Sequence, residues 1–454
     1  MGKFIRLKKG FTINLAGKAV PKVVEIEQPE TFVIKPTDFY GIYMPKPVVK
    51  EGDTVKAGSP LFHDKKHENI LYTAPVSGEV VEIKRGEKRK LLEIKILADK
   101  KVEYETFKKH TVSEIANLSA VELKEQLVKS GVWPNLIQRP FGVVADPATT
   151  PKAIHISAFD THPLAPDYSV LYKGQEHYFQ IGIDVLKKLT SGAVHVNTHA
   201  TTEISTVFSQ VKGAEVNKFS GPHPVGCVGV QIHHLDPINK GQTVWTTTPA
   251  GVIQIAKLLL NGVYDSSKIV ALTGSEVKAP QYYKTYTGAS VKKFLQGNLK
   301  QENVRVISGN PLTGSSIGKE GHIGFFDQQV SVIPEGDYAE FVGWITPGER
   351  KLSFHRAIGL FSFLSPNKER VVDTNTHGEP RAFVQSGIFE QVTPMDILPT
   401  QLIKSILAED IDEMEALGIY EVIEEDLALC EFVDVSKHKV QEILREGLEL
   451  VQQS

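Results

Sequence analysis

Cysteine is nearly absent: Cys227 and Cys430 are the only two in 454 residues. Two thiols so far apart supply neither a four-cysteine zinc site nor an all-cysteine iron–sulfur cluster. They build no disulfide framework either, so a reducing cytoplasm is the expected compartment. Long apolar runs are missing too. The richest, Gly251 to Tyr264, is short and interrupted by Lys257, whereas a membrane-spanning helix needs about 20 apolar residues. Met1 to Lys9 lack the apolar stretch of a secretory signal, and Arg6 breaks the myristoylation pattern. Charge of one sign is also wanting. Lys plus Arg number 51 against 54 Asp plus Glu, a net charge of −3, which leaves no footprint for a nucleic acid. Finally, no G-x-G-x-x-G follows an expected strand. The stretch Gly314-Ser315-Ser316-Ile317-Gly318-Lys319-Glu320 imitates a phosphate loop, but its glycine spacing is wrong and Glu320 replaces the Mg²⁺-binding hydroxyl.

What is present is enough for a large core: 41% of residues are hydrophobic and 23% charged, so bulk disorder is not expected. The length suggests about three domains. Short strands and glycine turns fill the first hundred residues. Val48 to Phe62 reads as strand, turn, strand, with Gly52-Asp53 and Gly58-Ser59-Pro60 as turn formers; Tyr72 to Ile83 is a second such unit. The pair resembles the barrel-sandwich fold of lipoyl and biotinyl domains, in which a G-D-x-V-x-x-G half faces an A-P-x-x-G-x-V half. Carrier domains of that fold hold a modified lysine at a tight hairpin tip. Here the corresponding stretch, His63 to Asn69, reads as a longer polar loop with Lys65 nearest the expected place, and a solvated loop explains Lys65 and Lys66.

From about residue 111 the period changes. Ser119 and Glu122 form a capping box, and Gly131 stops the helix that follows. Phe141–Ala145, Ala153–Ala158, Ala193–Val196 and Val228–Ile232 read as strands. Ile181–Leu189 and Pro249–Leu260 read as helices, the second with proline early and Gly262 just after. The alternation predicts a wound, mostly parallel α/β domain. Lys268 to Pro280, with Tyr283, Gly288, Val291 and Leu295, resembles the ubiquitin-like SLBB module. Apolar stripes at Leu402, Ile403, Ile406 and Leu407, and at Val440, Ile443, Leu444, Leu448 and Val451, predict a helical bundle. The expected organisation is a multidomain α+β chain: barrel-sandwich 1–110, Rossmann-like α/β 111–262, SLBB 263–330, a β-rich connection 331–390 and a helical domain 391–454.

Two sets of residues invite a chemical reading. His195-Val196-Asn197-Thr198-His199 with Glu203 imitates a metal set, but H-x-x-x-H converges on an ion only on a helix, and this β-branched run reads as a strand. Structural histidines are expected. The second set is the pair of proline-rich segments Ala158 to Asp167 and Ser220 to Cys227, one after an expected strand and one before. Loops beyond the carboxyl ends of parallel strands line the ligand crevice of such sheets. An apolar surface beside a histidine suits a quinone ring with a hydrogen bond to its oxygen, which makes Phe159, Asp160, His162 and His223 the candidates. A stiff loop shaping a subunit interface explains the same segments equally well.

Several segments together resemble one family, the A subunits of the sodium-translocating NADH:quinone oxidoreductases. They are Lys8-Lys9-Gly10, the two barrel-sandwich halves, Arg139-Pro140-Phe141 and Ser157-Ala158-Phe159-Asp160-Thr161. Gly221-Pro222-His223-Pro224, His233 to Pro237, Gly343-Trp344 and Glu424 to Cys430 complete the set. The order of modules also resembles the electron-transfer RnfC-type proteins of Rnf complexes and the flavin subunit of complex I. Those relatives carry a glycine-rich flavin loop where this chain has Ser130 to Pro140 with one glycine, and cysteine motifs where it has Cys430 alone; Asp434 stands where family members often have Cys. The flavin and cluster machinery is therefore expected to be lost. The resemblance implies a peripheral subunit, on the cytoplasmic side of a bacterial inner membrane, of a pump that oxidises NADH, reduces ubiquinone or menaquinone and exports Na⁺. It implies integral membrane partner subunits, with NADH and flavins held elsewhere in the complex, and association with the quinone-reducing step. A docking subunit with no ligand of its own and a lysine-modified carrier protein are the alternatives.

Overall fold

The computed structural model describes residues 2–200, 205–343, 346–348, 350–355, 364–365, 367–384 and 387–454. Four sheets organise it. A four-stranded sheet (Thr31–Ile34, Leu91–Ala98, Gly78–Arg85, Thr54–Val55) and a three-stranded one (Pro45–Pro47, Pro60–Asp64, His67–Thr73) form the barrel-sandwich. The turn between Pro60–Asp64 and His67–Thr73 is only Lys65-Lys66, much tighter than the polar loop expected from the sequence. Asp64 explains the difference: it is buried, and its Oδ1 accepts the Met44 amide proton at 2.7 Å, so this polar residue belongs to the strand.

The α/β sheet has seven strands, in the order Phe4–Arg6, Glu215–Ser220, Val194–His199, Ile154–Ser157, Val244–Thr247, Ile137–Arg139, Val143–Val144. The first five run parallel, and Ile137–Arg139 pairs antiparallel with both Val244–Thr247 and Val143–Val144. Helix Glu176–Leu189 and helix Pro249–Asn261 pack on it, burying Phe179, Ile183 and Leu186 against Val252, Ala256 and Leu259. Helix Pro249–Asn261 starts on Thr248, which accepts the Gly251 amide, and ends at Gly262 with φ 66°, the left-handed turn that glycine adopts without steric cost. The capping box of Ser119 and Glu122 forms as the spacing predicts. Val228–Ile232 departs from expectation: it is part of a helix, Val228–Leu235, not a strand. A short apolar run fits a buried helix as well as a strand, and the Pro222 to Gly226 turn delivers the chain to the sheet face rather than its edge.

The SLBB-like sheet has six strands, Ser315–Ser316, Val304–Ser308, Gln329–Pro334, Ser267–Thr273, Gln281–Tyr286 and Val23–Glu25. Gln329–Pro334 straddles the expected boundary at 330 and pairs with both Ser267–Thr273 and Val304–Ser308. Beyond it, the described residues of 335–388 hold no strand, only an isolated bridge between Leu15 and Arg370, so the expected β-rich connection is irregular instead. Its polar side chains bond to one another, as where Tyr338 donates to Asp373, and leave no ladder to build. Five helices between Phe389 and Gln453 complete the chain.

Two hydrophobic cores result. One runs through the barrel-sandwich, the α/β sheet and the SLBB-like sheet. The other joins Leu7, Phe11, Ile13 and Leu15 to Val225, Cys227 and the C-terminal helices. The N-terminal segment and the C-terminal helices therefore share one core.

Candidate functional site

Strand Ile154–Ser157 lies inside the parallel sheet, and its carboxyl end leads directly into Phe159–His162. Two places away, strand Glu215–Ser220 leads into Pro222–Gly226. The fold brings these two segments together, and polar side chains buried at the strand ends hold them there. Ser157 Oγ lies 2.9 Å from the carbonyl oxygens of both Phe159 and Gly226. Gln231 Nε2 donates to Ser157 Oγ and to Val225 O, while its Oε1 accepts from Asn197. The Gly226 amide donates to Thr161 Oγ1 at 3.0 Å. A Cβ at Gly226 would sit 2.7 Å from that same oxygen, so glycine is required for the approach.

The histidines meet in this clasp. Asp160 Oδ1 takes hydrogen bonds from the His162 backbone amide at 2.8 Å and from its ring Nδ1 at 2.6 Å. The His223 ring lies 4.6 Å from that of His162, and its Nδ1 pairs with Thr161 Oγ1 at 3.1 Å. His162 Nε2 is 3.8 Å from Cys227 Sγ. Burial pulls His162 down, but the charge and hydrogen bond of Asp160 outweigh it and hold the ring above its ordinary value. Burial would raise Asp160, and His162 keeps it below the usual carboxylate range instead. Burial takes His223 far below 6.5, with the neighbouring charge of His162 adding to the effect, and pushes the Cys227 thiol far up.

Facing the clasp is a group that the spacing of residues did not single out. Arg139, on the antiparallel strand Ile137–Arg139, is 1% exposed; its Nη1 donates to Asp426 at 2.5 Å and its Nη2 to Glu425 at 2.6 Å. Both carboxylates open helix Glu424–Val433, at the N-terminal end where negative charge is favoured. Burial opposes the charge on Arg139, but the two acids outweigh it and keep it ionised. Burial raises Glu425, with Arg139 acting against that rise. Arg445 adds a second tie, to Glu424 and to the Phe141 carbonyl.

Between these elements lies a cavity of about 780 Å³, lined by Phe159, Asp160, His162, Arg139, Glu425 and Phe325. Of the four residues expected from the sequence, Phe159, Asp160 and His162 line it. His223 does not: it is packed behind His162 with 1% exposure, because Thr161 and the Phe11 amide, which binds the His223 carbonyl, draw it inward. Arg139, Thr161, Cys227 and Glu425 were not picked out. A strand ending in arginine and a helix opening on three acids, Glu424, Glu425 and Asp426, were the available signals, but only the fold shows that they meet.

The other motifs are structural. His195 and His199 lie on one strand, about 13 Å apart at strand rise. His195 stacks on His155 at 4.4 Å, and His199 meets Phe159 edge-on at 5.3 Å; Glu203 lies outside the described residues, as does Trp344. Lys319 pairs with Glu302, and Glu320 with Lys292 at 3.1 Å, so the phosphate-loop imitation spends its charges in surface pairs. Asp434 binds the His438 amide and ring nitrogen and the Ser436 amide, which makes it a turn-forming residue.

With this geometry in hand, comparison with known proteins is informative. Residues 5–99 match the family described as the NqrA N-terminal barrel-sandwich hybrid domain, residues 118–264 the NqrA second alpha/beta domain, and residues 269–318 the NQRA C-terminal domain. The chain is 38% identical over 452 residues to a protein of Alcanivorax borkumensis, covering 99% of each. It is 39% identical over 453 residues to one from Yersinia pseudotuberculosis, again covering 99% of each. A Neisseria meningitidis protein is 38% identical over 450 residues, with the same coverage. Each of these relatives is named as the A subunit of a Na(+)-translocating NADH-quinone reductase. An NAD⁺-reducing [NiFe]-hydrogenase structure aligns with 78% of this chain and 66% of its own at 11% identity, with a TM-score of 0.37, too weak a likeness to argue from. The agreement of three domains and of whole-length identity places the chain in one family: it belongs to the A subunits of the Na⁺-translocating NADH-quinone reductases.

Proposed function

We propose that this chain is a peripheral, cytoplasm-facing subunit of a respiratory pump that oxidises NADH, reduces ubiquinone or menaquinone and exports Na⁺, and that it seats the quinone ring at the reducing step. The names of its relatives supply the overall reaction. The observation that carries the quinone assignment is the wall of the cavity, where Phe159 and the Asp160–His162 pair stand side by side. Phe159 offers an apolar face for a planar ring. Asp160 fixes the His162 ring through Nδ1, leaving Nε2 as its second hydrogen-bonding atom. Nε2 accepts from a quinol hydroxyl when the ring is neutral and donates to a quinone oxygen when it is protonated. NADH and flavin chemistry falls to other subunits. No helix among the described residues is long and apolar enough to cross a membrane, so the reading assigns attachment to integral membrane partners.

Titration of the purified chain with a short-chain ubiquinone tests the assignment. Loss of one hydrogen bond to a buried ligand costs about 1–3 kcal/mol, roughly tenfold to a hundredfold in affinity, and that is the loss expected for His162→Ala. Phe159→Leu should weaken binding less, and His223→Ala least of the three. Wild-type affinity in a folded His162→Ala protein would leave the docking-subunit reading instead. The carrier reading rests on Lys65 and Lys66 at their two-residue turn; an unmodified intact mass of the chain purified from its native cell removes it.

A further inference from the structure

We propose that His162, His223 and Cys227 form a binding site for a single zinc-class divalent ion, and that this ion and quinone compete for His162. One ligating atom from each of the three lies within 4.8 Å of the others. Each ring is already committed at Nδ1, His162 to Asp160 and His223 to Thr161, so both have Nε2 left for an ion. Carboxylate and hydroxyl partners of this kind orient metal-binding histidines.

The second observation is an orphan. His223 Nε2 is buried and has no hydrogen-bond partner, an unfavourable state for a packed protein unless something binds there. Packing alone gives no reason for it. His162 Nε2 stands 3.8 Å from Cys227 Sγ. A tetrahedral ion with bonds of about 2.0–2.3 Å holds its ligands roughly 3.3–3.7 Å apart, so the site closes with small side-chain movements. Cys227 precedes helix Val228–Leu235 as its N-terminal cap residue and is buried, so its sulfur is held in place beside the two rings.

Two imidazoles and one thiolate select zinc or its soft neighbours over magnesium or calcium. Binding involves no redox change: a Zn–S bond forms as the Cys227 thiol releases its proton to solvent, His162 where protonated releases its Nε2 proton likewise, and each neutral imidazole contributes a lone pair. Three protein ligands leave a fourth position open. The metal site stands on this geometry alone, whereas the competition rests on the quinone reading above, since an ion on Nε2 removes the atom that quinone needs.

The test uses the full chain freed of metal by a chelator. Zinc affinity is measured by competition with a chromophoric chelator, and cobalt substitution is followed by absorbance. One equivalent is expected, with a thiolate-to-cobalt charge-transfer band. Cys227→Ser should abolish that band and weaken zinc by about a hundredfold or more; His223→Gln should weaken zinc similarly while retaining the band. Asp160→Asn should cost roughly tenfold to a hundredfold. Metal-free variants are checked by circular dichroism, and Asp160 lies on the other segment from His223 and Cys227, so one misfolded protein leaves another decisive. A wild-type chain that binds no zinc, or folded variants that bind it unchanged, would overturn the site. Saturating zinc should weaken short-chain ubiquinone binding in the wild type and not in Cys227→Ser. If zinc binds and ubiquinone is unaffected, the competition is wrong and the metal site stands. If zinc binds and His162→Ala leaves ubiquinone affinity unchanged, it is the quinone reading that fails.

Discussion

Asp38 is an acid in an unfavourable place. It lines the cavity, and burial lifts it from 3.8 to about 6, against the Phe325 amide that its carboxylate accepts at 2.9 Å. In the unfolded chain it ionises near 3.8, so between those values the folded protein holds the extra proton. Stability is therefore complete below pH 3.8, falls as pH rises through 6 and stays reduced above it. Asp38→Asn keeps a hydrogen-bond acceptor and removes the charge. We expect this variant to be more stable than wild type at pH 7 by about 1–3 kcal/mol, with the gain vanishing near pH 4, measured by urea unfolding at the two pH values. An equal gain at both would refute the burial argument. Arg139 is the opposite case, a buried charge fully partnered. Arg139→Met should cost about 3–5 kcal/mol because it leaves Asp426 buried without its cation. Arg139→Met with Asp426→Leu should recover most of that loss in the same unfolding measurement. No recovery would mean that the arginine matters through its shape rather than its charge.

At the scale of elements, the caps behave as local rules require. Thr248→Ala should destabilise by about 1 kcal/mol, read as a lower thermal midpoint, because it removes the side-chain acceptor of the Gly251 amide. An unchanged midpoint would show that packing alone starts that helix. Capping boxes, the Pro249 start and the Gly262 stop were legible because each depends on residues a few positions apart. The same holds for the parallel alternation and for the loops at the strand ends that carry Phe159, Asp160 and His162. Val228–Leu235 was not legible as a helix, since Val228, Val230 and Ile232 alternate as a strand's residues do over a run too short to decide. The Lys65-Lys66 turn was hidden because the burial of Asp64 depends on Met44, 20 positions away. Arg139 and Asp426 lie 287 positions apart, and only the assembled sheet and helix show that they belong together. His223 was legible as a neighbour of the site but not as lying behind its wall.

At the scale of the whole molecule, the surface and the missing motifs make two claims on experiment. The chain expressed without partner subunits should remain in the supernatant without detergent, and should sediment with membranes when the complex is present. Membrane association in cells lacking every partner would contradict the proposed attachment. Purified alone, the chain should show no stoichiometric flavin or iron–sulfur absorbance, since Gly131 is the one glycine where a flavin loop needs several; a bound flavin would overturn this.

The opening residues also govern when the protein can be finished. Phe4–Arg6 pairs with Glu215–Ser220, and Val23–Glu25 with Gln281–Tyr286. Between them, Gly10 runs so close to the His223 carbonyl that a Cβ there would sit 2.2 Å from it. None of these positions exists while the first 25 residues leave the ribosome. At about 5–20 residues per second, Tyr286 follows roughly 13–52 s later. During synthesis the start of the chain must wait, unpaired, while the barrel-sandwich behind it folds. Helices beyond residue 388 then cover it, which makes this early-translated segment among the last to find its place.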